Sequence, residues 1–139
     1  MQRSDSVPDW VHDAVARCLH DMQQPTAVDL RLTLSDDGEY LVFWESDGSG
    51  SGFYLMNDQR GADLVVSLAD FLQEQVFPET REAWGEARPA CPGHDHPAAP
   101  SVLDGEAWWL CPDTNRQLSI IGTYADPQGS DRRVDRPGV

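Results

Sequence analysis

Cys91-Pro92-Gly93-His94-Asp95-His96 places one thiol and two imidazoles on a single short segment, and Trp109-Leu110-Cys111-Pro112 supplies a second thiol further along. These are the residue types that bind zinc. Two ligands separated by two residues fit one tight turn. Pro92 fixes the backbone after the first cysteine, and Gly93 allows the positive φ that such a turn needs. Backbone N–H groups in turns of this kind hydrogen-bond the sulfur and support a thiolate. Cys111 opens a second turn with proline at the same offset. Cys91, His94, His96 and Cys111 together would complete a closed, tetrahedral, structural zinc shell. Two other readings of the same residues stay open. Cys91 and Cys111 could form a disulfide or remain free thiols, with both histidines solvated. Alternatively, a catalytic metal could be held by three protein ligands with one position open. In that enzyme His94 and His96 are ligands, and Asp95 or Glu106 is the base.

Other reactive types offer less. The zinc deaminase pattern needs a Glu two residues after its His and a Cys-x-x-Cys pair, and position 96 is His. Cys18 falls on an apolar helical stripe and is expected to be a core residue. His12 and His20 fall off that stripe and are expected to be solvated. Residues two apart diverge on a helix, so Cys18 and His20 make a poor catalytic pair. Trp108 and Trp109 alternate faces of a strand, so both are buried only if both faces are covered. Asp47-Gly48-Ser49-Gly50-Ser51-Gly52 lacks the lysine and helix start of a phosphate loop and reads as a flexible connection.

The elements that must position the cysteines and histidines follow from periodicity. Ser6, Pro8 and Asp9 mark a helix start. Val11, Ala14, Val15, Cys18, Leu19 and Met22 then recur at helical spacing, and Pro25 ends the helix. Val28, Leu30, Leu32 and Leu34 alternate with polar residues over 27–34, as in a half-buried strand. After the turn Ser35-Asp36-Asp37-Gly38, the stretch Glu39 to Glu45 reads as a central strand and Phe53 to Met56 as a third. A second helix is predicted from Ala62 to Phe77, buried through Leu64, Leu68, Phe71, Leu72 and Val76. Residues 85–105 have no period and read as a Pro- and Gly-rich loop. Ala107 to Cys111 and Gln117 to Ile121 read as a hairpin. The predicted fold is α+β: an N-terminal helix, a three-stranded antiparallel meander, a second helix and a zinc-clamped C-terminal hairpin. Residues 1–122 form one domain, with 88–122 as its zinc-binding subregion. Residues 123–139 form a disordered tail. Because 88–122 holds few apolar residues in any periodic pattern, a core over 7–77 is expected to stand without it.

The half-motifs Cys91-Pro92-Gly93-His94 and Cys111-Pro112-Asp113-Thr114 resemble the paired knuckles of zinc ribbons over roughly residues 88–122. A ribbon places its second ligand of the second turn where this chain has Thr114, so His96 is the fourth ligand here. The chain also resembles small bacterial domains that end in such a Cys-Pro hairpin, a resemblance that implies no activity.

Charge narrows the partners. The chain has 139 residues, with 10 basic and 24 acidic side chains and a net charge of −14. Every basic residue is arginine. Residues 1–90 carry 17 acidic against 6 basic groups. Such a surface repels duplex nucleic acid and anionic membranes and attracts a basic protein partner. No apolar run approaches the ~18 residues of a membrane span, and three cysteines do not suggest a disulfide framework. The chain is therefore read as cytoplasmic. The leading functional reading is a non-enzymatic, zinc-stabilised binding or adaptor module with an acidic protein-interaction surface. An immunity-type protein that neutralises a basic toxin is one concrete version, and the metal-dependent enzyme is the alternative.

Overall fold

The computed structural model describes residues 2–3, 7–24, 26–55, 58–86 and 88–125. It is α+β, in the predicted order of helix, strands, helix and hairpin. A two-residue strand β1 (Gln2–Arg3) precedes helix α1 (Asp9–Met22). Strands β2 (Leu30–Leu34), β3 (Tyr40–Glu45) and β4 (Gly50–Tyr54) form the antiparallel meander. β1 joins its β2 edge in parallel. Helix α2 (Gly61–Phe71) runs on through a π-helical turn (Leu72–Val76) into a 3-10 turn (Phe77–Glu79). A second antiparallel sheet follows, in the order β5 (Ala99–Leu103), β6 (Glu106–Leu110) and β7 (Gln117–Ile120). No helix among the described residues is long and apolar enough to cross a membrane.

The apolar stripe of α1 is buried as its spacing predicts: Val11, Ala14, Val15, Cys18, Leu19 and Met22 all face inward. Cys18 is a core residue whose thiol donates to the Val65 carbonyl at 3.4 Å. His20 is exposed and His12 half-buried. α2 packs against α1, β5 and β6. Its Phe71 ring sits 5.9 Å from Phe43 and 5.4 Å from Phe53 of the meander. The helix therefore touches both sheets, and one continuous core forms.

Three expectations are corrected here. The Gly-Ser run is not a flexible connection: the turn is confined to Ser46–Gly48, and Gly50, Ser51 and Gly52 belong to β4. The loop over 85–105 contains β5, which the prolines at 97 and 100 concealed from any search for alternation. The C-terminal region is not poor in core residues. Ala98, Ala107, Trp109, Ile121 and Tyr124 join the same core as Leu64 and Phe43. Each large apolar side chain buried there contributes about 1.5–3 kcal/mol, so residues 7–77 lose part of their own cover if the second sheet leaves. The packed chain also runs through Tyr124, past the expected boundary at 122. Residues 126–139, most of the expected tail, lie outside the described residues, as does Ser6, the expected helix cap.

Two buried charged side chains tie the sheet to α1. Asp21 is fully buried. Its carboxylate accepts from Trp109 Nε1 at 2.7 Å and from the backbone N–H groups of Gly122 (2.6 Å) and Tyr124 (3.1 Å), with His20 Nδ1 at 2.7 Å. Arg88, also buried, donates to the carbonyls of Met22 (3.1 Å) and Thr26 (2.6 Å). It thereby caps an orphan carbonyl at the negative end of α1.

Candidate metal centre

The segment that carries Cys91 is pinned on both flanks. Gln73, in the π-helical turn, donates to the carbonyls of Arg88 (3.2 Å) and Ala98 (2.6 Å). The Tyr124 hydroxyl donates to the Ala90 carbonyl at 2.6 Å. Ala90 and Pro97 form an isolated antiparallel bridge. Between them the chain turns back on itself: Cys91 N–H donates to His96 O (3.0 Å), and His94 N–H to Cys91 O (3.0 Å). Gly93 has φ +77°, with nothing within 4 Å of where a Cβ would lie. A side chain there is excluded by the left-handed backbone, not by lack of space. The second turn repeats the pattern after β6. Cys111 N–H donates to Arg116 O (2.9 Å), and Asn115 N–H to Cys111 O (2.7 Å).

These turns bring Cys91, His94, His96 and Cys111 together, with one ligand atom from each lying within 4.8 Å of all the others. The set can hold a metal ion. His94 Nδ1 lies 3.2 Å from Cys91 Sγ and 3.7 Å from Cys111 Sγ. Those separations bracket the edge of a zinc-centred tetrahedron, about 3.5 Å for bonds of about 2.0–2.3 Å. Both cysteines are buried, whereas His94 is exposed and His96 half-buried. A cavity of about 370 Å³ opens against Cys91, His94 and Cys111.

The two sulfurs differ in their surroundings. The Thr114 hydroxyl and the backbone N–H groups of Thr114 and Asp113 donate to Cys111, pulling its thiol down to about 6. Burial, followed by the neighbouring Cys111, pushes Cys91 up to about 11. The two surroundings favour Cys111 over Cys91 as the thiolate. Thr114, where a ribbon would place a ligand, here stabilises the thiolate instead.

His96 is held differently from His94. Its Nε2 lies 3.1 Å from Asp113 Oδ2, and its Nδ1 lies 3.2 Å from the Pro97 carbonyl. The Pro97 carbonyl, followed by Asp113, raises its pKa above the ordinary imidazole value. If Nδ1 binds the metal, Nε2–H can keep its bond to Asp113. This carboxylate–imidazole–metal arrangement fixes the ring and its tautomer. Asp113 is the residue that the sequence reading missed. Its only signal was position, two residues after Cys111 in the facing turn.

The alternative's base candidates are placed less favourably. Glu106 opens β6 and Cys111 follows its end, a separation of about 16 Å at ~3.3 Å per residue. Glu106 Oε1 also accepts from Arg17 (3.1 Å) and from the Ala107 N–H (3.0 Å). Glu106 is thus corrected from a candidate base to a partner of α1. Asp95 is exposed on the tip of the first turn. No protein-family model matches this chain, and comparison with curated proteins and solved structures finds no significant similarity.

Proposed function

We propose that Cys91, His94, His96 and Cys111 hold a structural zinc ion, and that the chain is a non-enzymatic binding module. Its partner is a basic protein attracted by the acidic surface. The observation that carries this reading is the joining of two backbone-bonded turns by two buried sulfurs with His94 between them. A zinc there would tie the loop after α2 to the end of β6 and close the lower rim of the second sheet. The donors around Cys111 prepare a thiolate before any metal arrives, which suits a permanent ligand. The carboxylate described at the cluster, Asp113, is engaged by His96 Nε2 at 3.1 Å, in the position of a group that orients a ligand, which favours a clamp over a hydrolytic centre. The cavity against Cys91, His94 and Cys111 is the observation that favours the alternative. If His96 keeps both of its present hydrogen bonds, the metal has three protein ligands and an open position.

Hydrogen exchange on zinc-loaded protein, with and without chelator, tests the clamp. Metal binding contributes folding free energy where no site is preformed in the unfolded chain. Removing it is expected to deprotect residues 88–98 and 111–117, while β6 remains protected by Trp109 and the shared core. Unchanged exchange after verified zinc loss would contradict the clamp and favour the enzyme.

A further inference from the structure

The outer face of the meander departs from the usual pattern for a half-solvated sheet. Facing away from the core are Tyr40, Val42 and Trp44 of β3 and Gly50, Gly52 and Tyr54 of β4. Tyr40 and Tyr54 are 44% and 52% exposed, with ring centroids 5.4 Å apart. A Cβ on Gly50 would lie 2.8 Å from two ring carbons of Trp44. Glycine at that cross-strand position lets the indole lie flat on β4. Thr33 Oγ1 accepts from Trp44 Nε1 at 2.8 Å and fixes the ring. The Arg31 guanidinium stands 5.6 Å from the ring centroid, within cation–π range. Trp44, with a guanidinium over its ring, and the Tyr40–Tyr54 pair, four residues along β3, thus line one low aromatic platform.

β4 is also an edge. No strand among the described residues pairs with its far side. Hydrogen bonds from Glu45 N–H to Ser49 O and from Leu55 N–H to Glu39 O set the ladder's alternation. It turns the backbone groups of Gly50, Gly52 and Tyr54 outward. β4 carries no lysine, proline or bulge, the usual devices that block an edge from pairing.

Carboxylates flank both ends of the platform. Asp36, Asp37 and Glu39 sit at the β2–β3 turn. At the other end Asp47 sits in the β3–β4 turn, while Glu45, which alternates to the face opposite Trp44, lines with Asp47, Arg81 and Glu82 a cavity of about 250 Å³. Glu45 is held above the ordinary carboxyl range by partial burial and by Asp47, Glu82 and Glu79. Aromatic rings between acidic ends complement arginine, which stacks on rings and pairs with carboxylates.

We propose that β4 receives an extended, arginine-bearing segment of a basic protein partner. The segment adds as a strand along Gly50, Gly52 and Tyr54 and rests its side chains on Tyr40, Trp44 and Tyr54. This deepens the binding-module reading and rests on its protein-partner part, not on the zinc. A second copy of this chain fits less well, because its charge of −14 repels its twin.

The test uses the full chain and a capped, fluorescein-labelled peptide, Arg-Thr-Val-Thr-Val-Thr-Arg, whose arginines share one face of a strand. Fluorescence anisotropy is expected to show saturable binding that weakens as salt rises. The same peptide with glutamate for both arginines should bind at least tenfold more weakly. Gly52→Pro removes one outward N–H without touching the ladder to β3, and Tyr54→Ala removes an exposed ring. Each should weaken binding at least tenfold with unchanged far-UV circular dichroism, a cooperative unfolding transition and unchanged zinc content. No binding, equal binding of both peptides, or wild-type binding by both variants would overturn the proposal. So would dimerisation that Gly52→Pro abolishes in the absence of peptide binding. Repeating the titration after chelation separates the two readings. Peptide bound by a chain that never held zinc contradicts only the metal centre. Zinc present without peptide binding contradicts only the β4 site.

Discussion

Trp109 Nε1 donates to Asp21 Oδ2 at 2.7 Å, between residues 88 positions apart in sequence. Trp109 stands two residues before Cys111, so this bond ties the strand that leads to a candidate metal ligand to helix α1. Both partners are fully buried.

Asp21→Ala removes the acceptor for one indole and two backbone N–H groups. Each buried donor left without a partner costs about 1–3 kcal/mol, so a loss of about 3–5 kcal/mol is expected. Asp21→Asn keeps the shape but turns an amide toward donors, at a smaller cost. Urea unfolding measures both. A loss below about 1 kcal/mol for Asp21→Ala would show that the network does not hold the second sheet.

The three cysteines should react in a fixed order. Complete burial, followed by Asp21, pushes the Cys18 thiol far up, so it should resist an aromatic disulfide reagent near neutral pH. In metal-free protein Cys111 should react first, because only the thiolate attacks and its neighbours pull it down to about 6. Cys91 should follow more slowly, and zinc should protect both. Mass spectrometry of the labelled peptides gives the order. Labelling of Cys18 ahead of Cys111 would contradict the assignment.

Asp113 should tune the metal without binding it. Asp113→Ala frees His96 Nε2, and loss of such an outer partner typically lowers metal affinity about 10–100-fold. Competition with a chromogenic chelator measures the change. Affinity equal to that of the unsubstituted chain would mean that the His96–Asp113 bond does not orient the ring.

Local chemistry was legible in the sequence, and long-range pairing was not. The α1 stripe followed from helical spacing, and the candidate metal ligands from cysteine and histidine on two proline-marked turns. Periodicity marks apolar faces only, so it gave no sign that Asp21 is buried: its partners Trp109, Gly122 and Tyr124 lie about a hundred residues away in sequence. β4 looked like a linker because glycines at 50 and 52 carry no alternation. The reason for Gly50 lies across the ladder, in the ring of Trp44. β5 was hidden by prolines that an edge strand tolerates. Asp113 showed only its position after Cys111, and its bond to His96 depends on folding that sets the two turns face to face.

X-ray absorption at the zinc edge, on protein purified without added metal and assayed for one zinc per chain, tests the central claim most directly. The account predicts a first shell of two sulfurs at about 2.3 Å and two nitrogens at about 2.0 Å. The sulfur contribution should fall by half in Cys111→Ser. Absence of zinc, or a shell without sulfur, would contradict the metal centre. Two sulfurs with one imidazole and a water oxygen would contradict the closed structural site and leave the open, catalytic one.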